Sequence, residues 1–177
     1  MTDALPAPAS QHGMTLIEIM ITLAIAGILM MIGMPSFNTW LANSQVRTGA
    51  EGINNGLQLA RGESVKRNGN VTFVLGNRTG WTVTVVSTGE VVQTRPEDEG
   101  SKDATVAVTP AGATTVTFNG YGRVTSNADA SAAITQIDVG SATLAASATR
   151  ILRIVLGSGG NVRMCDPQLA AGDPRAC

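Results

Sequence analysis

Glu18 is the first side chain in this 177-residue sequence whose chemistry asks for a partner. It lies in GMTLIEI, residues 13–19, and the apolar run around it continues through MITLAIAGILMMIGM to Pro35. A charged side chain at the centre of a membrane span costs at least about 2.5–3.5 kcal/mol, so a lone glutamate there implies a cation supplied from elsewhere. A second chemical pair is Cys165 and Cys177, both within the last thirteen residues and accompanied by neither a CxxC spacing nor a histidine cluster. That pattern argues against a metal site. In a domain outside the cytoplasm the two thiols most simply form one disulfide across the tail, worth roughly 3 kcal/mol at best in chain-entropy models. Two unrelated thiols are the alternative.

Other stretches look chemical and read better as structure. GSGG, residues 157–160, follows a strand-like run, but NVRMCDP comes next where a phosphate loop needs a helix. The aligned amides and positive dipole of an anion cradle are then missing, and a hairpin turn is expected. PEDEGSKD, residues 96–103, is a solvated charge cluster without the ligand spacing of a calcium loop. No cofactor, metal or catalytic set is expected.

The elements that position these residues change character along the chain. From Met14 to Met34 the clearly polar side chains are Thr15, Glu18 and Thr22. At about 1.5 Å per helical residue the segment spans roughly 31 Å, the hydrocarbon thickness of a bilayer. A secretory signal cut after AIA, residues 24–26, competes with this reading, but the apolar run continues beyond it and residues 1–12 hold no Lys or Arg. A buried core helix would need a larger protein to enclose an all-round apolar surface. Net charge is −1, from 12 basic and 13 acidic residues, so the chain as a whole has no attraction for nucleic acid or anionic lipid.

After Pro35, the positions Phe37, Trp40, Leu41 and Ser44, then Val46, Ala50, Ile53, Leu57, Ala60 and Ser64, recur at helical spacing, which predicts one face against a core. The helix is expected to bend near Pro35 and to end in KRNGN, residues 66–70, where cations suit the dipole and glycine stops it. Gly49, Gly52, Gly56 and Gly62 each cost up to about 1 kcal/mol in a helix interior, which close packing by strands is expected to offset. Beyond lie VTFVL, WTVTVVS, VVQTR, TVAV, TVTFN, ITQIDV and RILRIVL, short Val, Ile and Thr runs between turn residues. They predict antiparallel sheets and an α+β fold.

GMTLIE, followed by an apolar run and a proline, resembles the type IV prepilin signal, usually written GFTLIE. VTFNGYGRV and RILRIVLGSGGNVRMC resemble the head of GspH/FimT-type minor pilins and pseudopilins, so the likeness covers most of residues 13–165. It implies a leader over residues 1–13, cut by a prepilin peptidase after Gly13 on the cytoplasmic side, and methylation of the new amino terminus at Met14. Residues 14–34 become a membrane and assembly helix, 35–68 a head-packing helix, and 69–177 an antiparallel β head with a stapled tail. The family's glutamate falls on Glu18, where it meets the Met14 ammonium of an adjacent subunit, and its helix-loosening glycine and proline fall on Gly27 and Pro35. Met14 replaces the usual phenylalanine, and the leader lacks its usual basic residues. His12, the single histidine, leaves with that leader, so the mature serines have no triad base.

The resemblance implies a noncatalytic subunit of the bacterial inner membrane with a periplasmic head. Its partners would be the peptidase and the major and minor pilins of a type IV pilus, or else those of a type II secretion pseudopilus. Some FimT-like proteins bind DNA in natural transformation through a Gly-Arg-x-Arg motif. GNVR, residues 160–163, keeps its second cation as Arg163 and has Asn161 in place of the first. A DNA site would therefore need folding to bring Arg123, Arg150, Arg153 or Arg175 beside Arg163, with Arg153 or Arg175 as the expected helpers, against the nearby charges of Asp166 and Asp173.

Overall fold

The computed structural model describes residues 13–97 and 99–177. Of the expected leader, Gly13 alone is described, and His12 lies outside the described residues. The chain divides into two compact units, Met1–Asn38 and Thr39–Cys177. One helix, α1 (Leu16–Arg67), supplies residues to both. In the first unit it carries the apolar run, with Leu16, Met20, Leu23, Ile28, Met31 and Met34 all exposed. Leu, Met and Ala lose little rotamer freedom in a helix, which offsets the lower propensity of the isoleucines and glycines in the run. The Thr22 hydroxyl donates to the Ile19 carbonyl at 2.9 Å, which satisfies a polar group inside the apolar run. Pro35 lies within the unbroken helix, where it removes a backbone donor toward the Met31 carbonyl without ending the element.

The second unit builds the core. Ala42, Val46, Gly49, Ala50, Ile53, Gly56, Leu57, Ala60 and Ser64 form the buried seam of α1. The six seam positions expected from Val46 onward are all buried. Phe37, Trp40, Leu41 and Ser44, expected on the same face, are not buried: the first three precede Ala42, where burial along α1 begins, and Ser44 lies beyond it on the exposed side of the seam. The helix stops in the expected stretch by a different residue. Asn68 takes the left-handed conformation at φ 48°, its N–H donating to the Val65 carbonyl (3.2 Å) while Gly69 N–H donates to that of Ser64 (3.1 Å). This is a Schellman cap, with asparagine in the position that glycine usually fills.

Among the described residues nine strands follow: β1 (Val71–Leu75), β2 (Trp81–Val85), β3 (Val91–Arg95), β4 (Ala104–Thr109), β5 (Thr115–Phe118), β6 (Val124–Thr125), β7 (Gln136–Ser141), β8 (Leu152–Leu156) and β9 (Val162–Cys165). They form two antiparallel sheets, β3-β2-β1-β5-β6 and β4-β7-β8-β9. Seven answer to the expected runs. The exceptions are β6, which is two residues long, and β9, whose VRMC lacks a β-branched pattern. Inward positions alternate as period-2 strands require: Val71, Phe73 and Leu75 in β1, Ile137 and Val139 in β7, Ile154 and Leu156 in β8. With Ile53 and Leu57 they make one core cluster, each large side chain worth about 1.5–3 kcal/mol on burial.

Three of the four glycines in the head-packing half of α1, Gly49, Gly52 and Gly56, admit the sheet side. A Cβ on Gly56 would stand 2.6 Å from the Trp81 ring and 2.9 Å from Phe73. One on Gly52 would meet the Arg95 guanidinium at 2.6 Å, and one on Gly49 would meet Thr79 at 2.8 Å. Trp81 Nε1 then donates to the Gly52 carbonyl at 3.0 Å, a bond that depends on this approach. Gly62 has nothing within 4 Å and is exposed, so packing does not offset its cost. Gly56→Ala is accordingly expected to destabilise the protein by about 1–3 kcal/mol through overpacking. Gly62→Ala is expected to stabilise it by about 0.5–1 kcal/mol through helix propensity. Denaturant unfolding of the detergent-solubilised protein reads both, and equal signs would refute the assignment.

Candidate functional site

Gly13 and Met14 precede the first turn of α1 and are exposed, and nothing stands within 4 Å of a Cβ placed on Gly13. The first turn is closed by a reciprocal pair. Glu18 N–H donates to Thr15 Oγ1 at 3.3 Å, and Thr15 N–H donates to Glu18 Oε2 at 3.5 Å. This is a capping box, with Thr15 at the cap and Glu18 three residues on. TLIE, residues 15–18, carries the Thr-x-x-Glu signature of such a box, and the reading of Glu18 as a docking charge passed over it. The cap gives Glu18 a role within its own chain, since a carboxylate at the helix amino end also suits the dipole. A long bond to a neutral N–H leaves the negative charge itself uncancelled, so the carboxylate keeps the capacity to accept from a cation.

At the other end, Cys165 and Cys177 are joined in a disulfide. The tail it closes is stitched to β9 and to the segment before β8, which α1 also holds. Asp166 N–H donates to the Arg175 carbonyl (2.8 Å), and Asp166 and Ala176 form a parallel bridge. Gln168 grips the segment before β8, its Nε2 donating to the Thr149 carbonyl (3.1 Å) and its Oε1 accepting from Ile151 N–H (3.3 Å). Asn43 of α1 holds the same segment, accepting from Arg150 N–H at 2.8 Å and donating to the Ala148 carbonyl at 3.1 Å. A groove of about 390 Å³ lies between these parts.

The three arginines of the expected DNA patch are each engaged. Arg153 lies directly opposite Asp138 in the β7–β8 register and makes a two-toothed pair with it, at 2.7 and 2.9 Å. Both side chains are half-buried, and the hydrogen bond to Asp138 pushes the guanidinium pKa up. Arg175 pairs with Asp173 at 2.9 Å and, chiefly through that hydrogen bond, holds its carboxyl down at about 2. Arg163 stands on β9 opposite Val155 and donates to the Ala176 carbonyl at 2.7 Å. The structure therefore does not gather them into an open cationic patch. GSGG forms the β8–β9 hairpin turn, as expected, with Gly157 N–H donating to the Asn161 carbonyl at 2.9 Å. Gly160, at φ +83°, lets this turn approach the loop before β6, since a Cβ there would fall 1.8 Å from the Gly122 oxygen. Among the described residues, no three of His, Cys, Asp and Glu are grouped to hold a metal ion.

Thiol labelling of the denatured, nonreduced protein is expected to detect no free cysteine, and labelling after reduction to detect two. Arg175→Gln is expected to return Asp173 toward the ordinary carboxylate value of about 3.9. Because the folded pKa is depressed, the pair's contribution to stability is fully present above that ordinary value and is lost as pH falls toward 2. An NMR titration of Asp173 that is unchanged by the substitution would contradict the pairing.

Two family models match the chain: Type II transport protein GspH over residues 49–160, and the prokaryotic N-terminal methylation motif over residues 8–34. Among solved structures, the type IV minor pilin FimU of Pseudomonas aeruginosa strain PAO1 aligns at TM-score 0.48 and 18% identity, over 70% of this chain and 92% of that one. The minor pseudopilin EpsH from the Type 2 Secretion System of Vibrio cholerae aligns at TM-score 0.51 and 12% identity, over 71% of this chain and 99% of that one. No curated protein sequence matches. The likeness to EpsH establishes the fold: a long N-terminal helix packed on antiparallel sheets, the type IV pilin-like architecture.

Proposed function

The chain belongs to the GspH family of type II transport proteins, and from that membership we propose that it is a noncatalytic minor subunit of a type IV pilus. The precursor is cut after Gly13 and methylated at Met14. Residues 14–34 hold it in the inner membrane with the head on the periplasmic side, and a low number of copies enters the fibre. The observation that carries this reading is Glu18, a single carboxylate in the first turn of an exposed apolar helix long enough to cross a membrane. In a bundle of such helices, the Glu18 carboxylate meets the Met14 ammonium of an adjacent subunit, and two charges that are expensive in lipid neutralise each other. Most axial shifts leave the charge unpaired, so the pair selects one register within an otherwise non-directional apolar contact.

A second reading, a minor pseudopilin of a type II secretion system, is favoured by the description of the matching family and by the fold shared with EpsH. Both assemblies use the same helix physics. Affinity purification of the processed protein separates them: pilus subunits as companions support the first reading, secretion-system subunits the second.

Mass spectrometry of the mature protein is expected to show cleavage after Gly13 and one added methyl at Met14, whereas an intact leader, or cleavage after Ala26, would overturn the assignment. Glu18→Ala is expected to insert into the membrane at least as well as the native chain and to enter fibres about tenfold less, a loss of about 1.4 kcal/mol. Normal incorporation of that variant would remove the docking role.

A further inference from the structure

The bond between Gly13 and Met14 stands just ahead of α1, inside the stretch matched by the N-terminal methylation motif. Both residues are exposed, and among the described residues neither the Gly13 carbonyl nor the Met14 N–H makes a hydrogen bond. A helix that ran on past its present start would change this. Backbone bonds in an α-helix join N–H(i) to C=O(i−4), so extension would tie the Gly13 carbonyl to Ile17 N–H and the Met14 carbonyl to Glu18 N–H. Methionine is a strong helix former, so propensity at residue 14 favours that extension.

Thr15 is what stops it. Its carbonyl accepts the first intrahelical bond, from Ile19 N–H at 3.3 Å. Its hydroxyl takes the Glu18 N–H (3.3 Å) that a longer helix would give to Met14, and its own N–H turns to the Glu18 carboxylate (3.5 Å). Both donors are thus diverted into the capping box, and a cap residue takes a non-helical φ and ψ, so the chain before it leaves the helix. Among the described residues Ile17 N–H has no acceptor, and the Gly13 carbonyl that would serve it in a longer helix stays open.

We propose that Thr15 is a positioning residue for cleavage of the precursor: its cap keeps the Gly13–Met14 peptide out of the helix and the Gly13 carbonyl accessible to the prepilin peptidase. In the step itself a water molecule adds to the Gly13 carbonyl carbon, and the bond to the Met14 nitrogen breaks. Gly13 is left as a carboxylate and Met14 as an ammonium, so water is the only co-reactant. A Gly13 carbonyl held by Ile17 N–H would first have to unwind, and cleavage follows the population of such an open form when opening is fast. The proposal rests on the processing reading above, whereas the capping box is a property of the helix itself.

The test measures kcat/KM for cleavage of the detergent-solubilised full-length precursor by an active prepilin peptidase, and follows amide hydrogen exchange at Ile17 in the same variants without peptidase. Thr15→Ala removes the cap and is expected to lower kcat/KM about threefold and to slow Ile17 exchange by a similar factor. Thr15→Asn supplies a capping side chain of different shape and is expected to stay within about 1.5-fold of the native chain in both readings. Cleavage of Thr15→Ala at the native rate overturns the proposal, as does unchanged Ile17 exchange in that variant. Thr15→Asn cut as slowly as Thr15→Ala also overturns it, since the peptidase is then reading the threonine side chain itself. In all three cases a native precursor cut after Gly13 leaves the processing reading standing, whereas a native precursor left uncut overturns that reading and the proposal together.

Discussion

The head depends on how closely α1 approaches the sheets along the seam from Ala42 to Ser64. Interiors pack to crystal-like density, so the radius of a helix face decides which strands reach it. Here the face is made of small residues at three levels, and the sheet side supplies the bulk: Trp81 and Phe73 lie against Gly56, and the Arg95 guanidinium lies over Gly52. The Trp81 indole donates to a helix carbonyl that a larger side chain would screen. Each glycine weakens the helix by up to about 1 kcal/mol in isolation, and the contacts it admits offset that loss in the folded head. Where no contact is admitted, at Gly62, the residue brings only the cost.

One helix thus carries two kinds of surface, and the sequence shows the change of composition more clearly than the change of packing. The apolar run and its single carboxylate were legible because a stretch of bilayer length that is apolar on every side suits lipid and is poorly suited to a small core. The seam from Val46 to Ser64 was legible because its period is helical. The same period misplaced Phe37, Trp40 and Leu41: spacing says which residues share a face but not how far along that face the sheet extends, and burial here begins at Ala42. The helix stop was placed correctly and its agent misnamed, because Asn68 and Gly69 both tolerate positive φ and only the geometry shows that asparagine takes it. Strands β6 and β9 escaped for a different reason. Neither carries its own hydrophobic alternation, and each exists because a longer neighbour, β5 or β8, offers it an edge to pair with.

The candidate site was legible at its covalent level and obscure at its electrostatic level. Two cysteines near the end of a chain with an expected periplasmic head suggested the staple that the structure contains. The arginines looked available because a sequence does not display cross-strand neighbours. Asp138 is fifteen residues from Arg153 along the chain, yet the β7–β8 register sets them opposite each other, and a half-buried two-toothed pair commits that cation to the fold. Arg175 is committed more locally, by a carboxylate two residues away that shares its turn. Counting cations toward a nucleic-acid surface without counting these partners overestimates the charge open to phosphate, since each committed guanidinium would have to exchange one anion for another.

Glu18 joins the two ends of this argument. Within one chain it closes the first turn of α1 with Thr15 through bonds of 3.3 and 3.5 Å, which satisfy two backbone N–H groups without cancelling its charge. A weak internal cap and a strong external pair are compatible demands on one carboxylate, because an ionised carboxylate has about four acceptor positions and the cap occupies one. The cap also restricts where the charge stands. By holding the side chain over the amino end of the helix, it places the carboxylate at the level where the terminal amine of a processed neighbour is proposed to lie, so less side-chain freedom is lost when the two meet. The single carboxylate of the apolar run thus has its geometry set by the first turn of that same helix.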